Sequence, residues 1–205
     1  MKKFIQYIIW GVIVTNTQAQ NNGSNPSKDF TKDIGTAKTS YEVGKLEETH
    51  FALQQALSDI DMIIGKEVLK LLPQSIDTSA INPKEDRVSS NIGYAGATVH
   101  RSYGKIEKAS VEVISNSPMI ATLNSLMNMP MMGGAMRDEN SKTIKVQGYK
   151  ARLERQSSGD DQFDYTLQVP FNSALLTLVI RQCTESLIMK VAESLPLDSI
   201  AKLIQ

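Results

Sequence analysis

The stretch Ala174-Leu-Leu-Thr-Leu-Val-Ile-Arg181 decides the fold. It is apolar except at Thr177 and the closing Arg181, and Asn172-Ser173 before it reads as a turn. A run this short and this apolar is a strand covered on both faces, so it belongs at the centre of a sheet. The neighbouring stretches are its partners. In the preceding segment Tyr165, Leu167 and Val169 alternate with Thr166 and Gln168, which is the period of a half-buried strand. Further back, Ala151 and Leu153 alternate with Arg152 and Glu154, and Ile144 and Val146 alternate with Lys145 and Gln147. Gly148 and the polar tip Ser157-Ser158-Gly159-Asp160-Asp161 separate these runs as hairpin turns. Two earlier strands follow the same rule. One carries Ala97, Val99 and Tyr103, the other Val111 and Val113, with Gly104-Lys105 as the turn between them.

Helices surround these strands. Leu46, Leu53, Leu57, Ile60, Ile64, Val68 and Leu71 or Leu72 recur at helical spacing, which predicts a long amphipathic helix from Lys45 to Leu72, stopped by Pro73 and with a potential kink at Gly65. A polar loop is expected over residues 74–91. Ser117-Pro118 opens a second helix bearing Ile120, Leu123, Leu126 and Met127, ended by Pro130. Thr184 caps a third, with Leu187, Ile188, Val191, Ala192 and Leu195, and Asp198 caps a short last one. Short hairpins imply antiparallel neighbours. The expected fold is therefore α+β: an antiparallel sheet of about six strands, with a long N-terminal helix and shorter helices packed on it.

The first residues read as an address. Lys2 and Lys3 precede an apolar run from Phe4 to Val14, and a polar stretch ends at Thr17-Gln18-Ala19. This is the pattern of a secretory signal, with cleavage expected after Ala19, and the run falls short of the ~20 residues of a spanning helix. No cysteine lies near that point to carry a lipid. Residues 20–40, rich in Asn, Ser, Gly and Lys, are expected to form a disordered spacer. The domain organisation is then a signal at 1–19, a spacer at 20–40 and a single α+β domain at 41–205. The expected location is periplasmic or secreted.

Composition narrows the function. The 205 residues carry 22 basic and 22 acidic side chains, and removing residues 1–19 leaves 20 against 22, a balance of −2. Neither figure provides the basic excess that nucleic acid binding needs. One cysteine, Cys183, excludes an internal disulfide and any multi-thiolate metal site. Its place before a helix start leaves a reactive thiol to be tested.

The segment Ile144-Lys-Val-Gln-Gly-Tyr-Lys-Ala151 and the tail from Leu175–Ile180 through Val191-Ala-Glu-Ser-Leu195 resemble the PsbP-like α/β/α sandwich group of small secreted bacterial domains. The resemblance covers residues 92–205. It implies an accessory or binding protein of an envelope, without catalytic residues, and assigns no functional residue to this chain.

Motifs of catalysis are missing from the sequence: it has no Gly-x-Ser-x-Gly, no phosphate-binding Gly-rich loop and no His-Glu-x-x-His. The two histidines are His50, beside Glu47 on the long helix, and His100, on the face of its strand shared with Thr98 and Ser102. Asp160, Asp161 and Asp164, and the run Arg137-Asp138-Glu139, read as solvated loops. The unusual feature is methionine. Of nine, Met127, Met129, Met131, Met132 and Met136 fall within ten residues beside Gly133-Gly134. Thioethers fill irregular core gaps and adapt to varied partners, and these five are the candidate binding residues. Soft sulfur also selects Cu(I), so an alternative metal set is Met127, Met129, Met131 and Met132 with His100, and copper is the alternative to having no cofactor. The sequence thus supports an exported, non-catalytic envelope module that binds a protein or a small apolar ligand. It is expected to have no stable membrane insertion after cleavage and to allow a homodimer. A Cu(I)-binding protein and a hydrolase with an unrecognised site are the alternatives.

Overall fold

A computed structural model describes residues 26–91, 94–117, 119–128, 140–159, 162–171 and 173–204. The expected signal at 1–19 lies outside them.

The chain folds as α+β. Helices α1 (Pro26–Glu42) and α2 (Leu46–Leu71) come first, followed by a small hairpin of β1 (Ser75–Ile76) and β2 (Ser79–Ala80). Then come β3 (Arg87–Asn91), β4 (Tyr94–Tyr103), β5 (Ala109–Ser115), α3 (Met119–Asn128), β6 (Ser141–Val146), β7 (Tyr149–Ser157), β8 (Phe163–Phe171) and β9 (Ala174–Cys183). Helices α4 (Glu185–Ser194) and α5 (Leu197–Leu203) close the chain. The main sheet is wholly antiparallel, in the order β3-β4-β5-β9-β8-β7-β6. The apolar run at Ala174 is its central strand, as its composition requires.

Two expectations need correction. The sheet has seven strands rather than about six, because β3 forms in what reads as loop. Val88 is its sole large apolar residue, so an edge strand held by pairing to β4 leaves almost no period to detect. The second concerns residues 20–40, read as a disordered spacer: those from Pro26 onward form α1. Its small buried residues Ala37 and Ser40 sit against α2, where Ala52 and Ala56 are buried, so the helix draws stability from close packing on a neighbour rather than from its own composition. That seam carries a cost. Asp59 Oδ2 is buried with no hydrogen-bond partner among the described residues, and burial, then Asp33 and Asp29, push its carboxyl above the usual range.

One face of the sheet holds the core. Val99, Val111, Val113, Leu167, Val169, Leu176 and Leu178 are all buried in one cluster with Val68 of α2, Ile188 of α4 and Ile200 of α5. Gly65 of α2 marks the crossing point over β3 and β4. A Cβ there would lie 2.5 Å from Val88 Cγ1 and 3.2 Å from Ala97 Cβ, so this glycine is a contact rather than a kink. Polar bonds fix the same crossing. Asp61 Oδ2 accepts the Gly96 N–H at 2.7 Å, and the Ser58 and Ser90 hydroxyls lie 2.6 Å apart. At the C-terminal end of α2, Arg101 donates to Leu72 O at 3.0 Å and grips both oxygens of Asp86, at 3.0 and 2.7 Å. Tyr103 donates to Pro73 O at 3.0 Å. Gln147 Nε2 lies 2.8–3.1 Å from the carbonyls of Ala192, Glu193 and Leu195, which ties the β6–β7 turn to the end of α4.

Candidate functional site

Strand alternation sends every second side chain to the opposite face. Leu175 points there and is buried, as is Leu123, both outside the main core cluster; with the contacts of α3 to β7, β8 and β9, this puts α3 over that end of the face. The β3-β4-β5-β9 end carries instead a groove of about 580 Å³. Its floor is built by register. Ser89 pairs with Thr98, His100 lies between Arg87 and Glu112, and Glu112 faces Thr177. Arg181, at the end of β9, and Glu85, before β3, stand at its margins.

The β4–β5 turn leans over this floor. His100 Nε2 lies 3.5 Å from Glu107 Oε1, and Arg181 Nη2 lies 3.6 Å from Glu107 Oε2, so one carboxylate links two strands. The turn reaches that position through unusual backbone. Ile106 has φ +55° and Glu107 φ +46°. Two successive left-handed residues are ordinarily filled by Asn and Gly, and a β-branched residue there is an outlier. Ile106 is also 90 % exposed, the most exposed large hydrophobic residue of the described chain. Left-handed backbone costs an L-residue about 1–2 kcal/mol, and strain of this kind gathers at binding sites. The arrangement presents an apolar knob above a floor of mixed charge, suited to a surface with both kinds of group.

The residues singled out by sequence fare differently. His100 is in the groove, half-buried, on the face expected for it. Among the described residues no hydrogen bond joins it to Ser89 or Thr98. His50 is exposed on α2, in a shallow cleft with Lys45, Glu47, Glu48 and Phe51. Met127 is half-buried on α3, whereas Met129, Met131, Met132 and Met136 lie outside the described residues. Asp164 accepts the Gln182 N–H at 2.8 Å, and so serves the backbone of β9. Among the described residues no three His, Cys, Asp or Glu side chains converge to hold a metal. Burial pushes the Cys183 thiol up to about 11, and its Sγ donates to Ile180 O at 3.4 Å, the reverse of an activated thiolate. Sequence reading missed Ile106 and Glu107. The signal was the absence of Asn and Gly after Gly104-Lys105, in a loop that needs left-handed residues.

Comparison with protein-family models finds none that matches the chain, and comparison with curated proteins finds no match either.

Proposed function

We propose that this chain is an exported, non-catalytic binding module of a bacterial envelope that takes a protein partner on the open end of its sheet. The observation that carries this reading is Ile106: strained, β-branched, 90 % exposed and poised over the groove. In the free protein its conformation opposes folding while its exposed side chain adds almost no burial, and a partner that covers it supplies that burial on binding. The ionic floor of Arg87, His100, Glu112 and Arg181 favours a protein surface over a small apolar ligand. Export rests on the basic, apolar and small-residue pattern of residues 1–19.

The test places a photoreactive benzoylphenylalanine at Ile106 in the producing cell, and at exposed Lys145 on the far edge of the sheet as control. The reading expects a defined protein adduct from position 106 alone, lost when Arg181→Glu is added. No adduct at 106, or the same products from both positions, contradicts it. N-terminal sequencing of the cell-envelope or secreted protein is expected to begin at Gln20, and a start at Met1 contradicts export with cleavage.

A further inference from the structure

A second surface lies on the other side of the molecule, where α1 packs chiefly on α2 and α2 on β3 and β4. The α1–α2 seam is made of small residues: Ala37 and Ser40 meet Ala52 and Ala56. Large apolar side chains stand beside it, unburied. Ile34 is 43 % exposed and Tyr41 66 %, while on α2 Leu46 is 66 %, Leu53 44 % and Leu57 54 % exposed. Their spacing is seven on α1, and seven then four on α2, so each set forms one stripe. At ~100° per residue, both stripes lie roughly a quarter-turn from the seam in the direction of chain advance. Because the two helices run antiparallel, that same rotation brings both stripes to one side of the hairpin. The result is a continuous two-helix apolar face.

The geometry points to a second copy of this chain as the occupant of that face. Five large side chains at these exposures present ~500 Å² of apolar surface, near the top of the ~300–600 Å² that a soluble monomer carries as one patch. With a polar rim it approaches the ~800 Å² per partner of a standard interface. The face is also self-complementary. A two-fold axis through it lays α1 of one protomer on α2 of the other, and two hairpins joined this way make a four-helix bundle with the heptad-spaced residues inside. The groove at Ile106 lies on the opposite face of the sheet and stays free in the dimer.

Sedimentation of the mature chain tests this, with Leu53→Glu as the variant. Leu53 sits on the surface, so the fold is kept, and circular dichroism checks it. The expected result is a dimer for the parent at ~10 µM and at least a tenfold weaker association for Leu53→Glu. In a Cys183→Ser background, Ile34→Cys chains mixed with Leu53→Cys chains are expected to form an intermolecular disulfide, because α1 of one protomer lies on α2 of the other, while Lys145→Cys chains mixed with Leu53→Cys chains do not. A parent chain that stays monomeric to ~100 µM, or a dimer indifferent to Leu53→Glu, overturns the proposal and leaves the face to residues 1–25 or to another protein. Cross-linking at Ile106 reports separately on the groove, so failure of either reading is visible without the other.

Discussion

Glu107 Oε1 stands 3.5 Å from His100 Nε2, and the same carboxylate reaches Arg181 Nη2 at 3.6 Å, so the strained turn is tethered to both β4 and β9. These groups are partly exposed, and exposed ion pairs contribute little to stability, ~0–1 kcal/mol. Glu107→Gln is therefore expected to change unfolding free energy by less than about 0.5 kcal/mol in urea titration. It is expected to reduce partner cross-linking from position 106 several-fold. A large loss of stability would make the carboxylate a structural strut instead.

Arg101 behaves in the opposite way. Its guanidinium is almost wholly buried, held by both oxygens of Asp86 and by Leu72 O. Asp86→Asn leaves that cation without its counter-charge, and stranding a buried charge costs about 3–5 kcal/mol. Thermal and urea unfolding are expected to show a loss of that order. An effect below 1 kcal/mol would mean that water reaches Arg101.

Cys183 gives a pH prediction. The folded thiol titrates at about 11 against an ordinary value near 9, because burial disfavours the thiolate. The folded chain thus holds a proton that the unfolded chain releases between these values. The stability present below pH 9 falls as pH rises through that window. Labelling by a maleimide at pH 7.5 is expected to be at least tenfold slower in the folded protein than in urea. Equal rates would show an accessible, reactive thiol.

Much of the fold is legible in the sequence because alternation and helical spacing are direct consequences of burial. Tyr165, Leu167 and Val169 are buried as their period implies, and the Thr184 hydroxyl accepts from the Leu187 N–H as its cap position implies. What stayed hidden depends on partners elsewhere in the chain. Strand β3 exists because β4 lies beside it, and α1 because Ala52 and Ala56 let it approach α2 closely. The long stripe on α2 reads as one surface, yet only the later half meets the sheet, around Gly65 and Val68, while Leu46, Leu53 and Leu57 run past its edge into solvent. The turn at Ile106 was equally opaque, since nothing in the local pattern requires a β-branched residue in left-handed backbone. Asp198 lies in the first turn of α5 rather than at its cap, where it accepts from Tyr149 Oη at 2.9 Å.

The central claim is that Ile106 is kept for what it contacts and not for the fold. Urea unfolding of Ile106→Asn tests this most directly, because Asn tolerates the left-handed backbone that strains Ile. The account predicts a protein more stable than the parent by about 1 kcal/mol, with partner cross-linking from a photoreactive residue at Ser89 lost. A variant of equal or lower stability that still captures the partner would contradict it.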